Sequence, residues 1–103
     1  MEVIYLHKAD SFIRPLEPVL KNKILVMIDM LEETGYLLKM PFSKSLGKGL
    51  FELRIVGNAQ VRIFYCFYGG KAYLLHGIVK KTPRVPPRAI NLARQTKAEL
   101  ESR

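Results

Sequence analysis

The chain has little of the residue types that build disulfide frameworks, metal centres and membrane spans. Its 103 residues include one cysteine, two histidines and no tryptophan. A single cysteine excludes an internal disulfide and a cysteine-based metal site. No run of about eighteen apolar residues is present, so no transmembrane helix is expected. The first ten residues lack the basic and apolar regions of a secretory signal. We therefore expect a cytoplasmic protein that uses no metal or other cofactor.

Acidic residues are scarce over more than half of the chain. Residues 1–38 hold four bases and six acids, whereas residues 39–97 hold twelve bases and Glu52 as their sole acid. The net charge of +8 is therefore concentrated in one block. Such a block favours a polyanionic partner, with nucleic acid first and an acidic membrane or acidic protein behind it. A merely basic protein without such a partner is the weaker interpretation.

Residues 50–80 predict three consecutive antiparallel strands, at 50–56, 60–68 and 71–80. Short gaps that contain glycine separate runs rich in β-branched and aromatic residues, which is typical of hairpins. Gly69 and Gly70 suit a two-residue turn, since both can take positive φ. A three-residue loop at 57–59 joins the first two strands. These turns place Arg62 opposite Arg54 on one side and opposite Gly77 on the other.

Alternation along the strands assigns each side chain to one face of the sheet. An apolar face suited to helix packing would carry Phe51, Leu53, Ile55, Val61, Ile63, Tyr65, Phe67, Ala72, Leu74, His76 and Ile78. The opposite, exposed face would carry Glu52, Arg54, Arg62, Phe64, Cys66, Tyr73, Leu75, Gly77, Val79 and Lys81. Two opposed arginines repel. Both could extend into water, Glu52 could pair with one of them, or Arg54, Arg62 and Lys81 could surround an anion such as a phosphate.

The flanking segments predict helices. Residues 3–6 suit a short strand, and Asp10 or Ser11 could cap a short helix. From Glu17, apolar residues recur at helical spacing up to a stop at Gly35. Residues 36–48 are interpreted as a loop, and residues 88–101 as a last helix whose weak stripe predicts loose packing. The stripe of the long helix consists of Leu20, Ile24, Met27, Ile28 and Leu31. The expected architecture is one α+β domain over residues 1–103, with a twisted antiparallel sheet of about four strands, N-terminal helices on one face and a C-terminal helix.

The pattern K-x-L…G-L-x-E-L-R…R-I-x-Y…K-K-T-P, spread from Lys44 to Pro83, resembles the phage-derived, HigB-like branch of the RelE/ParE toxin superfamily. The resemblance covers nearly the whole chain. It implies the toxin of a type II toxin–antitoxin pair, usually an mRNA endonuclease that acts on the ribosome without a metal. It also implies a cognate antitoxin, commonly of the helix-turn-helix type. No membrane partner is implied.

The resemblance also implies roles for individual residues. Arg54 stands where RelE-like toxins have a basic residue on the first sheet hairpin. Arg62 matches the basic residue that opens the next strand and contacts the scissile phosphate, and Lys81 matches a basic residue at the end of the following strand. Two features depart from the family. The stretch 84–87 lacks the tyrosine of the RelE enzyme, and the C-terminal part lacks the histidine of HigB-like enzymes.

RNA cleavage by its own 2′-OH requires charge stabilisation and proton transfer. Arg54 and Arg62 suit the first task, and Lys81 is the candidate general acid because neighbouring cations favour loss of its proton. Glu52 could accept the 2′-OH proton or simply hold Arg54 in place. RNA-binding candidates are Lys44, Lys48, Tyr73, Lys80 and Arg84, with Tyr73 as a stacking ring. The expected function is a ribosome-associated mRNA endoribonuclease that inhibits translation. The alternatives are a ParE-like inhibitor of DNA gyrase and a non-catalytic binding module of phage origin.

Overall fold

A computed structural model describes residues 1–58 and 60–103. Ala59, which belongs to the predicted loop at 57–59, lies outside the described residues. The elements are β1 (Val3–Tyr5), α1 (His7–Ile13), α2 (Pro18–Thr34), a 3-10 turn (Gly35–Leu37), β2 (Ser43–Gly47), β3 (Leu50–Arg54), β4 (Val61–Tyr68), β5 (Lys71–Val79) and α3 (Pro87–Glu101). Within the described ranges, no helix combines the length and apolar character needed to cross a membrane.

The five strands form one sheet in the order β1-β5-β4-β3-β2. The α+β prediction is confirmed, but the sheet is mixed because β1 runs parallel to β5. The extra strand, β2, lies in the segment that the sequence predicted as a loop. Its sequence SKSLG lacks β-branched residues, and a register shift between Ser45 and Gly47 interrupts its alternation. Propensity and periodicity therefore both fail to indicate this strand.

An irregularity in β5 changes the predicted register. The turn at Gly69 and Gly70 pairs Tyr68 with Lys71, as predicted, and the pairing runs regularly up to Tyr65 opposite Leu74. Phe64 is then opposite His76, which leaves Leu75 as an extra residue in β5. Beyond such a bulge, every side chain changes face. The predicted pairing of Arg62 with Gly77 is therefore wrong, and Arg62 lies opposite Ile78.

Helices α1 and α2 cover one face of the sheet. The predicted α2 stripe is confirmed, since Ile24, Met27, Ile28 and Leu31 are buried in the same core as Leu53 and Ile63 of the sheet. Glu17 begins α2 by accepting hydrogen bonds from the backbone N–H groups of Val19 and Leu20, and Gly35 ends it at a positive φ of 53°. The predicted caps of α1 are wrong, because Asp10 and Ser11 lie inside the helix, which begins at His7.

Helix α3 covers the other face, which the sequence predicted to be exposed. Its buried residues are Ala89, Ala93, Thr96 and Leu100, and the three apolar ones share a core with Leu50, Phe64, Cys66 and Leu75 of the sheet. The prediction of loose packing is wrong, because the side chains of α3 that face the sheet are buried although two of them are alanines. A helix can be well packed without a stripe of large residues when large side chains of the sheet fill the core between them. Burial in this core raises the pKa of the Cys66 thiol to about 11.

The bulge also turns His76 toward α3. His76 is buried, its ring lies 4.9 Å from that of Phe64, and its Nε2 donates a hydrogen bond of 3.0 Å to the carbonyl of Ala89. The sequence predicted that His76 is buried, which is confirmed. It also predicted that the side chain lies on the face with Phe51 and Leu53, whereas it lies on the face covered by α3. Burial is the main cause that lowers the pKa of His76 below its ordinary value, and Lys8 adds to the lowering.

Gly77 is required by packing against α1. A Cβ at this position would lie 2.5 Å from a ring carbon of Phe12 and 2.8 Å from the Cδ1 of Ile63. We expect Gly77→Ala to lower the free energy of unfolding by about 1–3 kcal/mol, the usual cost of overpacking. In a Phe12→Leu background the loss should be smaller, because the ring that meets the new methyl group is gone. Urea unfolding of the parent, the two single variants and the double variant measures the coupling energy between positions 12 and 77. Equal losses in both backgrounds would show that Phe12 is not the obstacle.

Candidate nucleic-acid interface: a cationic cleft

A cleft of about 320 Å³ opens near the N-terminal part of α3. Side chains from β2, β3, β4, the segment after β5 and α3 line it. They are Lys44, Leu46, Glu52, Arg54, Arg62, Lys80, Pro83, Arg84, Val85 and Ile90. Five of them are cations and one is a carboxylate, and we call this the cationic cleft. Such a surplus of positive charge in a concave site attracts anions.

The pairing of β3 with β4 places three charged residues together in the cationic cleft. Arg54 on β3 lies directly opposite Arg62 on β4, as the sequence predicted, and Glu52 is the diagonal neighbour of Arg62. The Nε of Arg62 donates a hydrogen bond of 2.6 Å to the Oε2 of Glu52, whereas the Nε of Arg54 lies 3.9 Å from that oxygen. Of the alternatives that the sequence left open, the structure therefore shows Glu52 paired: it accepts a hydrogen bond from Arg62 and makes a longer ion pair with Arg54.

The two arginines differ in how far a ligand can reach them. The Arg62 side chain is 6% exposed and that of Glu52 3%, so this ion pair is buried, whereas the Arg54 side chain is 31% exposed. The prediction that Arg62 lies on an exposed face is therefore wrong. The Nη1 of Arg54 lies 3.6 Å from the sulfur of Met40. Its buried Nε has no hydrogen-bond partner among the residues described. Arg54 is thus the more accessible guanidinium of the two, and a ligand in the cleft can reach its exposed part.

The third cation of the cleft is Lys80. Because the bulge at Leu75 shifts β5 by one residue, Lys80 lines the cationic cleft, and the exposed Lys81 is not among its lining residues. The Lys80 backbone N–H donates to the Gln60 carbonyl at 2.7 Å, and its Nζ donates to the Pro83 carbonyl at 3.1 Å. The sequence predicted that Lys81 would lie beside Arg54 and Arg62. In the structure Lys80, one residue earlier, takes that place.

The remaining RNA-binding candidates divide into two groups. Lys44 and Arg84 are exposed and line the cationic cleft. Lys48 lies in the turn between β2 and β3, beside Arg94 and Lys97, and Tyr73 is half-buried against the α3 core with its ring 6.3 Å from that of Tyr68. The structure does not bring these two to the cleft, and their role in RNA binding stays a prediction.

A second cavity adjoins the cationic cleft. It has a volume of about 600 Å³ and is lined by Pro41, Phe42, Arg54, Ile55, Val56, Gly57 and Arg62. Sequence reasoning missed it, because Pro41 and Phe42 belong to the segment 36–48, which was interpreted as a loop with lysines as its candidate ligand contacts. The contact that brings this segment to the site is a hydrogen bond of 2.7 Å from the Arg54 N–H to the Phe42 carbonyl. In the described part of the chain, histidine, cysteine and acidic residues do not gather in groups of three or more that could hold a metal ion.

The fold is that of RelE/YoeB-type toxins. A chain of "the toxin-antitoxin complex RelBE2" from Mycobacterium tuberculosis superposes with a TM-score of 0.59 at 15% identity, covering 77% of this chain and 96% of that one. The "YoeB/ParE toxin" from Agrobacterium tumefaciens gives 0.60 at 15% identity, covering 78% and 99%. No curated protein matches the chain. The family "Phage derived protein Gp49-like (DUF891)" matches residues 11–98, and the chain belongs to this family.

The Glu52–Arg62 pair predicts a large effect of a small substitution. Glu52→Gln leaves the Arg62 guanidinium buried without its counter-charge, and we expect a loss of about 3–5 kcal/mol in the free energy of unfolding. Asp10→Asn is the matched control, because Asp10 pairs with Arg14 at 2.5 Å with both side chains exposed, at 42% and 76%. An exposed pair contributes about 0–1 kcal/mol. Urea unfolding checks both values, and similar losses for the two variants would contradict the assignment.

His76 predicts a pH dependence of stability. Its pKa in the folded protein lies below the ordinary value of 6.5, so on acidification the unfolded chain takes up a proton before the folded protein does. The free energy of unfolding should therefore fall as the pH drops below about 6.5, by at most about 1.4 kcal/mol per unit. His76→Gln keeps a donor for Ala89 and should remove this part of the slope. Urea midpoints between neutral and mildly acidic pH measure it, and parallel slopes for parent and variant would refute the prediction.

Proposed function

We propose that this protein is the toxin of a type II toxin–antitoxin pair and that it cleaves mRNA at the ribosome without a metal. The observation that carries the proposal is the cationic cleft, in which a buried Glu52–Arg62 pair lies beside the partly exposed Arg54. The fold shared with RelE/YoeB-type toxins supports it. The proposal includes membership of the HigB-like branch of these toxins, which the sequence resembles.

RNA binding rests on phosphate contacts. Lys44 and Arg84 are exposed at the cleft and Arg54 is partly exposed inside it, so a single strand can place a phosphate between them. Neutralising phosphates releases counterions, and the logarithm of the affinity should fall with the logarithm of the salt concentration by about 0.7 per phosphate contacted.

Cleavage would proceed by attack of a 2′-oxygen on the adjacent phosphorus. The bond from phosphorus to the 5′-oxygen breaks, which gives a 2′,3′-cyclic phosphate and a 5′-OH end. Arg54 stabilises the charge on the phosphorane, and Lys80 takes the role expected for Lys81 by protonating the leaving oxygen. Glu52 is engaged with Arg62 and acts as a positioning residue, so the 2′-OH proton passes to solvent.

A second candidate function is binding without cleavage, as in a ParE-like inhibitor of DNA gyrase or a non-catalytic module of phage origin. One observation favours it. Among the described residues that line the cationic cleft, there is neither a histidine nor a tyrosine, and the carboxylate there is held in an ion pair. A cleft of this composition binds anions more readily than it transfers protons.

The proposed partner is an antitoxin with an acidic segment and, by family resemblance, a helix-turn-helix domain. One solved relative is a toxin–antitoxin complex, which supports the existence of such a partner. Displacement of α3 would expose Phe64, Cys66 and Leu75, all buried beneath it. An antitoxin is therefore expected to cover the cationic cleft and to leave the helix in place.

Arg54→Ala tests the function with little risk to the fold, since the side chain is partly exposed and Glu52 bonds to Arg62. We expect the cleavage rate to fall by about 10²–10³, the usual effect of losing one transition-state donor. Arg14→Ala is the control, because it removes an equal charge from the exposed end of α1. The measurement is growth after induction in bacterial cells, with mapping of mRNA 5′ ends.

Two outcomes would contradict the proposal, and a third would contradict the role of Arg54. Arrested growth with intact mRNA and a DNA-damage response would favour the gyrase inhibitor. Unchanged growth of cells that accumulate the folded protein would argue against a toxin of any kind. Equal cleavage by the parent and Arg54→Ala would remove Arg54 from the site.

A further inference from the structure

The cationic cleft and the second cavity meet at the same two side chains. Arg54 and Arg62 line both cavities, so they form the wall between a polar and an apolar compartment. The two compartments differ in kind. Lys44, Lys80 and Arg84 belong to the cationic cleft alone, whereas Pro41, Phe42 and Val56 belong to the second cavity alone.

The second cavity presents apolar surface to solvent beside a charged group. Val56 is 56% exposed at its edge, and Met40, whose sulfur contacts Arg54, is also 56% exposed. Phe42 is half-buried and contributes an aromatic wall, and Ile55 is buried beneath. The volume of about 600 Å³ lies within the range of about 300–1,000 Å³ that is typical of small-ligand sites.

We infer that the second cavity binds one nucleobase of a single-stranded RNA whose neighbouring phosphate occupies the cationic cleft. This inference rests on the proposed function and extends it to a base subsite. A nucleotide joins a flat apolar base to an anionic phosphate, and the two adjoining cavities offer an apolar and a cationic compartment in the same arrangement.

Arg54 links the two compartments chemically. The plane of a guanidinium group can stack on a base while its N–H groups donate to phosphate oxygens. An ammonium group can donate but cannot stack. The Arg54 side chain is 31% exposed and lines both cavities, so its accessible part can meet a base on one side and a phosphate on the other. Phe42 supplies the stacking surface on the other side, as aromatic residues do in single-strand recognition.

The experiment compares two oligonucleotides of equal charge. The first is a fluorescent single strand that carries all four bases, with every 2′-OH methylated so that it cannot be cleaved. The second has the same sugar–phosphate chain without bases. Fluorescence anisotropy gives the affinity of each. Stacking of one base contributes a factor of about 5 to 150, so the first should bind tighter by that factor.

Two matched variants locate the base. Phe42→Leu removes the ring from the second cavity and keeps an apolar side chain. Phe67→Leu makes the same change at a half-buried phenylalanine that packs in the same core, beside Tyr36 and Phe51, and does not line the cavity. The preference for the base-containing strand should drop by at least 5-fold in Phe42→Leu and stay unchanged in Phe67→Leu.

Each result decides the inference. Loss of the preference in Phe42→Leu alone supports it. Equal affinities of the parent for both strands, with strong salt dependence, overturn the base subsite and leave the proposed function standing. A preference that survives in Phe42→Leu overturns the location. Absence of binding to either strand overturns the proposed function and the inference together.

Discussion

The buried ion pair between Glu52 and Arg62 is the contact on which the cationic cleft depends. A buried salt bridge is seldom a device for stability, because an apolar pair of the same size often stabilises as well, while loss of one partner is costly. Its position on the central strands suggests another role. The carboxylate neutralises the Arg62 guanidinium and fixes its position, which keeps Arg62 from competing with Arg54 for the same space. Two opposed arginines, which would otherwise repel, are thereby kept in register.

The second constraint is that helices cover both faces of the sheet. Such a sheet has no solvated side on which polar residues can be placed freely, so polar groups gather where the helices leave an opening. The bulge at Leu75 sets which residues reach that opening. It turns Leu75 and His76 to the same side, under α3, and it brings Lys80 into the cationic cleft. One extra residue therefore supplies a core side chain, a buried histidine and a cation of the site.

Local patterns predicted the parts of the fold that repeat regularly. Helix α2 has a continuous stripe, and the turn at Gly69 and Gly70 has the residues that its geometry requires, so both were found from sequence. The same register argument brought Arg54, Glu52 and Arg62 together. Strand β2 has neither propensity nor regular alternation, and the extra residue of the bulge in β5 is Leu75, an ordinary strand residue two positions before Gly77. The packing of α3 was also missed, because alanines give a weak stripe even when they are buried.

The part of the candidate site that sequence reasoning missed depends on contacts between distant segments. Phe42 reaches the site through a backbone hydrogen bond to Arg54, and Pro83 and Val85 reach it by following β5 after its shift. Backbone contacts of this kind carry no side-chain signature. The candidate residues with a charge could therefore be named from the sequence, whereas the apolar walls could not.

The environment of Cys66 has a practical consequence for the chemistry of the whole chain. The thiol is fully buried, and its raised pKa keeps it protonated near neutral pH, so thiolate-directed reagents find neither access nor a nucleophile. Cys66 is the sole cysteine of the sequence. The unmodified protein therefore has no thiol that labelling reagents can reach. A cysteine introduced on the exposed rim, at Val56 or Arg84, would be its one reactive thiol, ready to carry a crosslinker or a spectroscopic reporter into either cavity.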